Sequence, residues 1–212
     1  MTLGELKIES LRLMHINEDE DISPEDIPSL LGTDTYGTFL VNMIGAINRC
    51  FLDLENRGVL SSKCFQLRCD DGEICSFGRN IRFELLELIE DFLAVDRLVY
   101  ENVGGKYDGK APYRIEGESL ILPVFDGEKE EYRLYYHPRI SRLSADESDS
   151  TVIDIPPYIA EYIPYFVKSE LYGHIDEPAE AAEAYNIYES GVTSVIRSTS
   201  AITRVENKYS QL

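Results

Sequence analysis

The chain has 212 residues, 39 of them Asp or Glu against 20 Lys or Arg, for a formal net charge of −19. Hydrophobic residues make up 43%, enough for a real core over one or two domains and too many for a wholly disordered chain. No apolar run approaches the ~20 residues a membrane helix needs, and no basic stretch leads into an apolar one at the N-terminus, so the sequence reads as soluble and non-exported. Nucleic-acid affinity comes largely from Lys and Arg releasing counterions, which argues against a broad, tight DNA- or RNA-binding face.

Charge and hydrophobic period change together along the chain. Residues 1–62 carry 11 acids and 4 bases, residues 63–142 carry 16 and 12, and residues 143–212 carry 12 and 4. In the first segment Leu3, Leu6, Leu13 and Met14 mark a short helix, followed by the acidic run Glu18 to Asp21. Ser23-Pro24 reads as a helix start, with Ser as the cap and Pro in the first turn. From Thr35 onward, Phe39, Met43, Ile44, Ile47, Cys50, Phe51 and Leu54 recur at three and four residues, a long amphipathic helix closed by Arg57-Gly58.

The middle segment, 63–142, reads as strands. Cys64 to Cys69 and Glu73 to Phe77 flank Asp71-Gly72, which predicts a hairpin. Phe83 to Phe92 predicts one short helix, and Val95 to Glu101 is extended. A second hairpin is expected over Tyr113 to Leu122 and a further strand over Glu131 to Tyr136, the density of a small sandwich or barrel.

The last segment returns to helix. Ser144 to Ser150 is polar and acidic and reads as a linker. After Pro156-Pro157, Ile159, Ile163, Phe166, Val167 and Leu171 mark an apolar face, with Pro164 expected to kink or restart the helix. Asp176-Glu177-Pro178 opens a long helix in which Ala181, Tyr185, Tyr188, Val192, Val195, Thr199 and Ile202 alternate spacings of four and three. Gly191 inside it costs about 1 kcal/mol of helix propensity. The expected fold is α+β: a helical body formed by 1–62 and 143–212, a β-rich insert over 63–142, and a long C-terminal helix.

No catalytic constellation emerges. The histidines, His15, His137 and His174, each fall near the end of an element, and no metalloprotease, nucleophile-elbow or phosphate-loop motif is present; Gly104-Gly105 reads as a turn. Cys50, Cys64, Cys69 and Cys75 lack the paired short spacings of a zinc site and read as reduced thiols. The runs Glu18 to Asp21 and Asp146 to Asp149 lack the glycine and distal Glu of a calcium loop. Neither catalysis nor a cofactor or metal is expected.

Four phrases carry a resemblance. They are Asp91-Phe92-Leu93 leading to Val99-Tyr100, then Tyr113-Arg114-Ile115-Glu116-Gly117, then Tyr135-Tyr136-His137-Pro138, and finally Pro156-Pro157 leading to Tyr165-Phe166-Val167-Lys168-Ser169-Glu170-Leu171-Tyr172. In this order, over about residues 34–190, the chain resembles the head-to-tail adaptor (connector) proteins of tailed bacteriophages. The resemblance implies a non-enzymatic virion protein made in the host cytoplasm and placed in the neck. It implies a homo-oligomeric ring, twelve subunits in that family, below the portal protein and above a tail-side neck or nozzle protein. Genome DNA would pass through an acidic channel without specific binding, and no membrane is involved. A head-completion or tail-terminator protein is the alternative within the structural class, and an acidic metal- or ligand-binding domain the alternative outside it.

Two surfaces follow as candidates. Tyr132, Tyr135, Tyr162 and Tyr185 are expected at subunit interfaces, because Tyr joins an apolar body to a polar tip. The last 23 residues reverse the sign of the chain. Residues 143–189 hold 11 acids and one base, whereas 190–212 hold Arg197, Arg204 and Lys208 against Glu206. With Val195 and Ile202 at helical spacing, these bases are expected to dock on a neighbouring subunit or on the portal.

Overall fold

Thr2 starts the first helix. Its hydroxyl accepts from the Glu5 N–H at 3.2 Å while the Glu5 carboxylate accepts from the Thr2 N–H at 2.7 Å, a reciprocal cap for α1 (Leu3–Leu13). The structure, a computed structural model, describes residues 1–14, 22–75, 80–102, 106–123, 131–173 and 177–209, with side chains except at 34–35, 101–102, 106–110 and 199–209. His15, Glu18 to Asp21, Ser76-Phe77, Gly104-Gly105, His174 and Asp176 lie outside the described residues. Helix and strand segregate as α+β. The chain divides into two compact units, Met1–Val59 with Arg142–Leu212, and Leu60–Ser141.

The first unit is helical. Leu11, rather than the half-buried Leu13, completes the apolar face of α1 with Leu3, Leu6 and Met14. Ser23-Pro24 begins only a 3-10 turn (Pro24–Asp26), followed by the single turn α2 (Ile27–Leu30). Thr33 caps α3 (Asp34–Asn56), which buries Met43, Ile47, Cys50, Phe51 and Leu54. After α5 (Pro157–Ala160) the chain restarts as α6 (Ile163–Gly173), so Pro164 falls in a first turn, where its missing N–H costs no bond. α6 packs against α1, α3 and α7 (Pro178–Tyr209), burying Ile163, Phe166, Val167 and Leu171.

The expected linker is anchored instead. The Glu147 carboxylate accepts from the Ser144 N–H, the Ser144 hydroxyl and the Thr151 hydroxyl, which closes the segment on itself. Asp149 pairs with Lys7 at 2.7 Å, and its carbonyl accepts from the Gly4 N–H at 2.8 Å. Lys7 is only 8% exposed, so the contact is more than a solvent-screened surface pair. Acidic composition suggested solvation here; a buried partner charge overrides it.

The second unit holds two antiparallel sheets. One has the order β1 (Lys63–Arg68), β8 (Glu131–Pro138), β4 (Phe92–Asn102), β5 (Lys106–Lys110). The other runs β2 (Glu73–Ile74), β3 (Asn80–Glu84), β7 (Ser119–Pro123), β6 (Arg114–Glu116). Leu67, Leu98, Tyr132, Leu134 and Tyr136 from the first sheet share one buried cluster with Ile81, Phe83, Leu120 and Leu122 from the second. That is a small sandwich.

Two local expectations fail. Cys64 to Cys69 and Glu73-Ile74 are not a hairpin: β1 pairs with β8 and β2 with β3, in different sheets. Gly72 between them has φ −112, and a Cβ there would stand 2.3 Å from the Ile81 Cγ2. The glycine permits a close crossing rather than a tight turn. The helix expected over 83–92 shrinks to α4 (Leu85–Leu88), because Phe83 and Phe92 are core residues of β3 and β4. The hairpin over 113–122 forms as β6 and β7.

Asp91 sits at the end of this sandwich, where Lys63 Nζ (2.7 Å) and Tyr136 Oη (2.8 Å) both donate to it. Burial opposes the Asp91 charge, but these two bonds outweigh it and hold the carboxyl below its ordinary range. Burial, and then Asp91, push the Tyr136 phenol up to about 12. A phenol raised in the folded state contributes stability that is whole below its unfolded value of about 10 and is lost as pH rises toward the folded value. Tyr136→Phe is therefore expected to reduce the fall in stability between about pH 10 and 12, measured by denaturant melts across that window.

Candidate functional site

Cys50, Asp53 and Arg57 recur at three and four residues, which places them on one side of the end of α3. Opposite them stands Tyr188 of α7, fully buried, its ring edge-on to Phe166 at 5.0 Å between centroids. The Tyr188 hydroxyl donates to Asp53 Oδ2 at 2.6 Å. Arg57 Nε lies 2.7 Å from the same oxygen, and its Nη1 lies 2.7 Å from Glu189 Oε2. Its guanidinium carbon is 5.7 Å from the centre of the Tyr188 ring. Burial pushes both the Cys50 thiol and the Tyr188 phenol up, so both stay protonated. A buried neutral thiol is inert, and this cluster fixes the position of α7 rather than reacting.

A face of α7 adjoining this one is open. An exposed groove of about 820 Å³ runs along it, lined by Tyr162, Ala182, Glu183, Asn186, Gly191 and Ser194 among others. Gly191 is buried beneath the Tyr162 ring, and a Cβ at this position would stand 2.2 Å from Tyr162 Cε1. The residue that the sequence marks only as a helix-propensity cost is what lets an aromatic ring lie on the backbone.

The expected interface residues separate. Tyr132 is 5% exposed and belongs to the core of the sandwich, so it faces its own chain rather than a partner. Its register on β8, alternating with exposed Arg133, puts it inward. Tyr135 is half-buried, with the Arg97 guanidinium 4.3 Å from its ring centre. Tyr162 is half-buried over Gly191. Tyr185 is 41% exposed, and Arg57 Nη2 donates to its hydroxyl at 3.4 Å. The core seam of α7 runs through Ala184, Tyr188, Gly191 and Val192, so Tyr185 stands beside the seam rather than in it.

Among the candidates on the basic tail, Val195 is half-buried and Arg197 exposed. Ile202, Arg204 and Lys208 lie on the helical backbone of α7, their side chains outside the described residues. What the sequence reading missed is the Asp53–Arg57–Tyr188–Glu189 cluster. Its signal was present: an aromatic in the middle of a heptad seam, followed directly by an acid, facing an Asp-to-Arg pair four residues apart.

Among the described residues, no three His, Cys, Asp or Glu side chains are grouped to hold a metal ion. No helix among them is long and apolar enough to cross a membrane. His137 is half-buried, with its Nδ1 buried and without a hydrogen-bond partner. In comparison with known proteins, no family model and no curated protein matches this chain.

Proposed function

We propose that this chain is a structural neck protein of a tailed bacteriophage, a head-to-tail adaptor whose ring lies below the portal and extends the DNA channel toward the tail. The observation that carries the reading is the order of the four phrases along the chain. They fall on elements rather than loops: the first spans the turn into β4, the second the β6–β7 hairpin, the third the end of β8, and the fourth α5 and α6. α6 is the helix against which α1, α3 and α7 pack, so the longest phrase coincides with the centre of the helical unit.

The electrostatics favour the same role. At −19, the chain offers DNA few cations through which to release counterions, so a duplex moving past its acidic faces would slide rather than stick. Virion localisation, the portal above and a nozzle or other tail-side neck protein below belong to this proposal.

The test is binding to purified heads that carry the portal but lack a tail. The full-length protein is expected to cosediment with them and to stay in the supernatant when mixed with heads that lack a portal. Equal binding to both kinds of head contradicts the proposal. Replacing Arg197, Arg204 and Lys208 together with Ala is expected to preserve the far-ultraviolet spectrum while weakening attachment, by a margin that shrinks at high salt, since exposed ion pairs are screened.

A further inference from the structure

The groove along α7 and the basic end of the same helix have opposite charge, and the helix itself prevents them from meeting. Near the groove stand Glu177, Glu180 and Glu183; beyond it come Arg197, Arg204 and Lys208 with Glu206 alone against them. α7 is one continuous helix of 32 residues, about 48 Å long. Arg197 is fourteen residues beyond Glu183, about 21 Å along the axis, and Arg204 and Lys208 are farther still. An unbroken helix cannot fold its own end back on its beginning.

We propose that the groove beside Tyr162 receives the C-terminal half of α7 from a second copy of this chain. Exposed Ala182 and Ser194, with buried Gly191 between them, leave room for a helix to approach closely, and Tyr162 forms one wall. Glu183 lines the groove and is exposed; Glu180, at its acidic end, already reaches Lys168 at 3.2 Å. By spacing, positions 197, 204 and 208 share one side of the incoming helix, and 195 and 202 share another. The basic side can therefore face Glu183 in the groove, with 195 and 202 on the far side of the incoming helix. Donor and acceptor patches differ, so each copy carries one of each and the contact repeats head to tail. The inference deepens the ring reading by naming the contact between subunits, and its test stands apart from the neck.

A fluorescein-labelled, C-terminally amidated peptide of residues 193–212 is titrated with the full-length protein at low salt and followed by anisotropy. Saturable binding is expected, with at least ~5-fold loss in Ala182→Trp, because a bulky ring fills the groove without changing charge, and a similar loss in Glu183→Lys. Ala182 is exposed, so the Trp disturbs no core; Ser190→Trp, on the same exposed face, serves as a second groove-filling variant. No binding up to about 0.5 mM protein overturns the proposal, as does equal binding of a scrambled peptide or binding unchanged by both Trp variants. Such a failure leaves the adaptor reading to be judged on the virion.

Discussion

Replacing Tyr188 with Ala should cost the helical unit about 3–5 kcal/mol, the range for truncating a buried aromatic. Tyr188 is fully buried, stacks edge-on against Phe166 and donates to Asp53. Tyr188→Phe isolates the hydroxyl: about 1–3 kcal/mol is expected, because Asp53 loses a buried donor while Arg57 remains. Denaturant melts of the full chain give both values. A Tyr188→Ala loss below about 1 kcal/mol means that the ring does not anchor α7.

Gly191→Ala should destabilise, against the direction that helix propensity predicts. In an open helix interior the change gains about 1 kcal/mol. Here the new methyl meets the Tyr162 ring at 2.2 Å, and displacing the ring should cost about 1–3 kcal/mol, as overpacking does elsewhere. The cycle with Tyr162→Ala decides the cause. In that background the obstacle is gone, so Gly191→Ala should turn stabilising by about the propensity gain. If its sign is the same in both backgrounds, the Tyr162 ring is not what the glycine accommodates.

Periodicity carried most of the fold, for a physical reason that can be followed along particular elements. α3 and α6 bury continuous stripes, so the three- and four-residue recurrence of Ile47, Cys50, Phe51 and Leu54, or of Ile163, Phe166, Val167 and Leu171, is the packing itself. β8 alternates Tyr132, Leu134 and Tyr136 inward, within the run expected as a strand over Glu131 to Tyr136. Partner choice was not legible in this way. Asp71-Gly72 has the composition of a hairpin turn, but which strand β1 pairs with is settled by β8, more than sixty residues away. Likewise Lys7, distant in the chain, decides that Asp149 is a docked residue and not part of a linker.

The candidate site was legible in charge and obscure in geometry. The sign reversal at residue 190 is visible in the sequence, and so is the seam of α7 to within one residue. Tyr185 and Ala184 are neighbours, and helical spacing of three or four admits either, so exposure of Tyr185 at 41% and burial of Ala184 at 3% needed the packed helix. Gly191 reads as a weak point in a helix until Tyr162 is placed upon it. Cys50 reads as a core residue and is one, but the Asp53, Arg57 and Glu189 charges beside it are visible as a cluster only when α3 and α7 meet. Tyr132 shows the converse: the same amphipathic chemistry that suits an interface also suits a sandwich core, and its inward register placed it there.

The proposed neck ring is tested most directly by a cryo-electron microscopy reconstruction of the particle's neck. Expected is a rotationally symmetric ring between portal and tail into whose repeating density the helical unit and the sandwich each fit, with the end of one subunit's α7 lying against the Tyr162 side of the next. Density without rotational symmetry at this protein, or a neck ring into which neither unit fits, contradicts it.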